Sequence, residues 1–154
     1  MKPLTYAAIA FFVLFTVQAQ TITEKDLLGT WNLSFATVQG TEINFKTGEI
    51  HLSDEAAAEI EAKGQDLEEA KKGIMTEIGP IFNEIFLDFK PGLVMDFNAP
   101  GEKKNTTYTL KPDGEATHIV RSDGKELKIT LKDGILNLSN PEADGTALSF
   151  ERKK

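Results

Sequence analysis

Residues 110–152 read LKPDGEATHIVRSDGKELKITLKDGILNLSNPEADGTALSFER, and this stretch decides the fold. Asp-Gly steps recur about every ten residues, at Asp113-Gly114, Asp123-Gly124, Asp133-Gly134 and Asp144-Gly145. Such pairs tolerate the positive φ values that tight hairpin turns require. Between them apolar positions alternate with polar ones. The alternating sets are Ala116, His118 and Val120; Leu127, Ile129 and Leu131; Leu136 and Leu138; and Leu148 and Phe150, with Arg152 in the same parity. A period of two marks strands with one buried face. Strands this short, joined by turns this tight, form an antiparallel meander and not βαβ units.

The same rhythm extends towards the N-terminus. Tyr108 and Leu110 lead into the quoted stretch, and Ile85, Leu87 and Phe89 turn through Pro91-Gly92 into Leu93, Met95 and Phe97. Trp31, Leu33 and Phe35 alternate with Asn32 and Ser34, then Gln39-Gly40 turns the chain towards Ile43 and Phe45. A meander of this size hides its edges best by closing on itself. The expected fold is mainly β: an antiparallel up-and-down barrel of about eight or nine strands. An open sandwich is the alternative.

Residues 53–83 break the pattern and predict a helical insertion. Ser53 suits an N-cap, Asp54 and Glu55 place negative charge in the first turn, and Ala56, Ile60, Leu67, Ile74, Ile78 and Phe82 fall near helical spacing. Gly73 and Gly79-Pro80 predict two helices or a kinked one. An insertion of this length has an apolar stripe to bury, and one open end of the barrel is the economical place. Phe82 and Phe86 would then serve as lid or plug.

The first nineteen residues read as a signal peptide. Lys2 supplies the positive start, Tyr6 to Val17 is an apolar run, and Val17-Gln18-Ala19 has small residues where a signal peptidase reads, predicting cleavage after Ala19. The run is short for a membrane span, and no later stretch approaches the length of one. There is no Cys, so neither a lipid anchor on Cys nor a disulfide is available. Residues 20–154 are then one domain, secreted or periplasmic, with no integral membrane segment. Without Lys2 the balance is 16 basic against 24 acidic residues, a net charge of −8. That disfavours nucleic acid and anionic membrane as partners, since both need a basic face.

Asp26-Leu27-Leu28-Gly29-Thr30-Trp31-Asn32-Leu33, with the Pro-Gly and Pro-Asp-Gly hairpins at Phe89-Lys90-Pro91-Gly92 and Leu110-Lys111-Pro112-Asp113-Gly114, resembles the lipocalin-like domains of secreted Bacteroidetes proteins. The resemblance covers roughly residues 26–38 and 84–152. It implies that Gly29 and Trp31 begin the first strand, that Trp31 closes the barrel base, and that Arg152 of the last strand packs over its indole. It also implies a small hydrophobic ligand inside the barrel.

No catalytic constellation emerges from the sequence. There is no Cys nucleophile and no Gly-x-Ser-x-Gly elbow. Of the two histidines, His51 adjoins the helix start, and His118 lies in a strand with a parity that would let it face the interior. Residues 140–145 followed by Glu151 partly match calcium-loop spacing, but Asn140 and Glu142 occupy positions that favour Asp, and the flanks read as strands. No metal or cofactor is therefore expected. Asn32, Asn105 and Asn137 begin N-x-Ser/Thr sequons, of which Asn105 has the most accessible context.

The inward parity nominates Phe35, Phe45, Leu87, Phe89, Met95, Phe97, Tyr108, His118 and Ile129 as lining for a ligand pocket. A barrel this small is either filled by its own side chains or holds one small ligand. The functional expectation is a non-enzymatic, extracytoplasmic, lipocalin-like protein binding a small hydrophobic molecule. The alternative is an interaction or inhibitor module that docks a protein through its acidic helical insertion, where Glu55, Glu59, Glu61, Asp66, Glu68 and Glu69 cluster.

Overall fold

The computed structural model describes residues 21–114, 116–140 and 145–154. The expected signal peptide, and residues 141–144 of the calcium-like loop, lie outside them. A four-residue helix, α1 (Glu24–Leu27), precedes β1 (Gly29–Val38), β2 (Thr41–Asn44) and β3 (Glu49–His51). The insertion follows as α2 (Asp54–Ala62) and α3 (Leu67–Phe82). The meander then runs through β4 (Phe86–Lys90), β5 (Val94–Ala99), β6 (Glu102–Asp113), β7 (Ala116–Arg121), β8 (Glu126–Lys132), β9 (Ile135–Ser139) and β10 (Thr146–Arg152).

Each strand from β4 to β10 pairs antiparallel with the next, and β10 returns to β1. The fold is thus a closed antiparallel barrel of eight strands, β1 and β4–β10, with β2 and β3 as a side hairpin. The open sandwich is excluded by the β1–β10 ladder, which runs from Trp31 opposite Arg152 to Val38 opposite Thr146. We call the end carrying α1 and Arg152 the base, and the opposite end the rim.

The barrel closes through β1, which changes partners along its length. Gly29–Asn32 pairs with β4, whereas Phe35–Val38 pairs with β2. At the change of partner the register on β10 slips by one residue between Leu33 and Phe35. Ser34 is the extra residue of this bulge, and its hydroxyl donates to the Ser149 carbonyl at 3.0 Å. A bulge inverts the alternation beyond it. Trp31 and Leu33 are therefore buried below the bulge and Ala36 above it, while Phe35 falls out of phase and is half-buried. Phe45 and Phe82 stack with ring centroids 4.5 Å apart beside the fork where β2 and β4 diverge.

The insertion forms the expected pair of helices, divided at a different point. Ser53 Oγ accepts from the Ala56 amide at the start of α2, and Asp66 Oδ1 accepts from the Glu69 amide at the start of α3. The break falls at Gly64, whose φ of +71° ends α2. Gly79-Pro80 does not interrupt; Pro80 lies in the last turn of α3. Neither helix is deeply buried: α2 has no buried residue and α3 only Gly79. Among the described residues, no helix is long and apolar enough to cross a membrane.

Candidate functional site

The base is packed shut from the sequence upward. Thr23 and Asp26 tie the start of α1, the Asp26 carboxylate accepting from the Thr23 amide at 2.8 Å and hydroxyl at 2.6 Å. These bonds, hydroxyl first, hold the Asp26 carboxyl below its ordinary value. Glu24 Oε1 accepts from the amides of Gly92 and Leu93, fastening α1 to the β4–β5 turn. Leu27 is fully buried, and its carbonyl accepts the Trp31 indole N–H at 2.6 Å. The Arg152 guanidinium lies 4.6 Å from the Trp31 ring centroid. Its Nη1 donates to the Leu28 carbonyl at 2.7 Å and its Nη2 to the Asp26 carbonyl at 2.6 Å.

Above the base the interior is filled. Phe89, Ile119, Ile129 and Leu136 are almost fully buried together with Trp31. Phe89 and Tyr108 meet edge-to-face at 5.6 Å. The Tyr108 hydroxyl is buried without a partner among the described residues, and burial, with the nearby Glu24 charge, pushes its pKa up to about 12. Of the pocket residues expected from the sequence, Phe89, Tyr108 and Ile129 belong to this packed lower half.

Towards the rim the filling stops. A cavity of about 210 Å³ is lined by Leu87 and Met95 from β4 and β5 and by Leu138, Leu148 and Phe150 from β9 and β10. Leu87, Met95 and Phe150 are deeply buried and form its floor, whereas Phe97, Leu127 and Leu148 are half-buried and form its wall. Leu87, Met95 and Phe97 thus line the cavity as their parity predicted. Neither α2 nor α3 contributes to the lining. The helical segment does not lie across this opening; instead α3 flanks Gly48–His51 beside β3, and Phe86 lines a separate groove with Phe97 and Lys104.

Three expected lining residues lie elsewhere. Phe35 is displaced by the Ser34 bulge, which period-two counting passes over. Phe45 follows β2 and is stacked on Phe82 instead of entering the cavity. His118 has the opposite parity from the one assumed. Thr117 and Ile119 of β7 are buried and pair with Ile129 and Leu127, so His118 points to the outer face. There it sits between two carboxylates, Nε2 3.2 Å from Asp113 and Nδ1 2.5 Å from Glu126, without aligned hydrogen bonds. Among the described residues, no group of three or more His, Asp or Glu side chains is placed to hold a metal ion.

The corrected parity brings in a residue that the alternation of apolar positions missed. Arg121 stands opposite Tyr108 across β6 and β7 and lines the cavity. Its side chain is 11% exposed, and Nη2 donates to Asp123 Oδ2 at 2.7 Å. Its Nε is buried with no partner among the described residues. An unpaired buried donor costs about 1–3 kcal/mol, and more on a charged group. Asp123 also lies 3.3 Å from Lys104, which in turn lies 4.0 Å from Glu102. Burial alone would raise the Asp123 carboxyl, but the Lys125 amide, Lys104 and Arg121 outweigh it and hold the group below its ordinary value.

The arrangement defines a class of molecule: a closed β-barrel sealed at one end, with a small apolar cavity and a buried arginine at the other. No protein-family model, curated protein or solved structure matches the chain.

Proposed function

We propose that this chain is a lipocalin-like binding protein, secreted or periplasmic, that holds a small hydrophobic ligand in the rim cavity and performs no chemistry on it. The observation that carries the reading is the apolar cavity of about 210 Å³ above a fully packed floor. Ligand pockets usually span about 300–1,000 Å³, while an apolar cavity of about 150 Å³ suffices for benzene. The ligand is accordingly small: a single ring or a medium-length hydrocarbon chain. The apolar run at residues 6–17 supports export, and the Trp31–Arg152 arrangement supports the lipocalin-like resemblance.

A neutral eight-carbon alcohol, n-octanol, tests the reading. Its titration is expected to shift methyl resonances of Leu127, Leu138 and Leu148 in saturable fashion. Leu148→Trp, which fills the cavity from its wall, is expected to abolish those shifts while far-UV circular dichroism is retained. Saturable shifts that persist in Leu148→Trp, or no saturable shift in the unsubstituted protein, would reject it.

A second reading has its own observation. The acidic residues Glu55, Glu59, Glu61, Glu68 and Glu69 are exposed on helices that pack weakly, and Ile81 at the end of α3 is 45% exposed. These helices offer a docking surface for a basic protein partner, separate from the cavity.

A further inference from the structure

We infer that the rim cavity is built for a small amphipathic acid, its hydrocarbon tail on the apolar floor and its carboxylate on Arg121. The inference rests on the binding-protein reading above and narrows it to a chemical class. A cavity for a purely apolar ligand gains nothing from a buried guanidinium, because charge is costly to remove from water unless it is paired and hydrogen-bonded. Here the guanidinium is in the lining, and its pairing is incomplete. Asp123 occupies Nη2, and Nε is left without a partner among the described residues.

Asp123 is also not held by Arg121 alone. Lys104 approaches the same carboxylate oxygen at 3.3 Å. A second carboxylate reaching Arg121 from within the cavity would therefore leave Asp123 with Lys104 and with the Lys125 amide, which donates to its other oxygen. The guanidinium fork suits this role, since it presents several donors in one plane and binds carboxylates through charge-assisted bonds. The tail has matching surroundings. Leu87, Leu138, Leu148 and Phe150 line the same cavity, and none of them offers a side-chain polar atom. The ligand's polarity is thereby oriented: acid head on Arg121 of β7, where the charge is, and chain on the apolar floor of Leu87, Met95 and Phe150, with Asn140 and Thr146 as the other polar residues of the lining. The net acidic charge of the chain does not favour an anion at long range, so the discrimination has to come from this one short contact.

The test compares octanoate with n-octanol by calorimetry at neutral pH, in the unsubstituted protein, Arg121→Gln and Asp123→Asn. Octanoate is expected to bind the unsubstituted protein at least tenfold more tightly than octanol. Arg121→Gln is expected to remove that preference, octanoate then binding no more tightly than octanol, while far-UV circular dichroism reports an intact barrel. Asp123→Asn, which removes the competing negative charge from Nη2, is expected to tighten octanoate severalfold and leave octanol unchanged. Equal affinity for the two probes, or an Asp123→Asn variant that weakens octanoate alone, would overturn the inference and leave the binding-protein reading standing. Failure of both probes to bind would overturn both. If Arg121→Gln unfolds, the Asp123→Asn comparison decides alone.

Discussion

At the base of the barrel, the Arg152 guanidinium is tied on several sides: an indole beneath it and a backbone carbonyl on each terminal nitrogen. At the rim, Arg121 is more deeply buried and less well partnered, with one carboxylate on Nη2 and none on Nε. Folding alone explains the first arrangement, because every donor engaged ties one chain segment to another. It does not explain the second, because an orphaned donor in an apolar lining destabilises the fold that holds it. The two ends thus differ in what their arginines do: closure at one, a buried Nε without a partner among the described residues at the other.

The base should be the costlier end to disturb. Trp31 is 1% exposed, beneath Arg152 and beside Leu27 and Phe89, so Trp31→Ala removes the largest side chain of the core. Truncations of buried aromatics cost about 3–5 kcal/mol. Urea unfolding is expected to show a loss of that size. A loss below about 1 kcal/mol would mean that the base is not a cooperative part of the barrel.

Arg152 comes next. Arg152→Ala gives up two charged hydrogen bonds and a cation–π contact, all at a solvent-exposed residue, for a combined cost of about 1–2 kcal/mol. Arg152→Lys keeps the charge but not the fork that reaches the Leu28 and Asp26 carbonyls together, and is expected to recover less than half of the loss. Full recovery by lysine would make the closure a matter of charge, and the contrast with Arg121 would weaken. Neither base substitution is expected to alter octanol affinity by more than the change in folded population.

The same contrast shows which parts of the molecule its sequence reveals. The meander was legible because each Asp-Gly turn and each alternating run acts locally, and the Trp31–Arg152 juxtaposition follows once the strands close in order. The side hairpin at β2 and β3 was only partly legible, because β3 is three residues long and carries no turn dipeptide of its own. Phe35 misled because the extra residue of a bulge leaves no mark in a polar–apolar count; Ser34 is polar like Asn32 two residues before it. On β7 both parities carry apolar residues, Ala116 and Val120 on one face and Ile119 on the other, so alternation alone does not choose between them. Register does. Asp113 pairs with Ala116 across a two-residue connection, and counting back along that ladder sets Arg121 opposite Tyr108. The signal for Arg121 was therefore present in turn length, not in hydrophobicity. The placement of α2 and α3 beside the barrel had no such signal, since their half-buried stripe fits any apolar surface.

The smallest expected effect concerns acid. The Asp26 carboxyl is held below its ordinary value in the folded chain, first by the Thr23 hydroxyl and amide and to a lesser degree by the Arg152 charge. A carboxyl depressed on folding stabilises the folded state above its unfolded pKa, which for Asp lies near ~4. That contribution declines as pH falls through this value and is gone below the lower, folded one. Asp26→Asn retains an acceptor for Thr23 but cannot carry the charge. Its stability should therefore fall below that of the unsubstituted protein at neutral pH by a small amount, as suits an exposed group. The gap should narrow as pH is lowered below about 4. A gap that stays constant over that range would assign the Thr23–Asp26 contribution to hydrogen-bond geometry alone, and would remove ionisation from the forces that close the base.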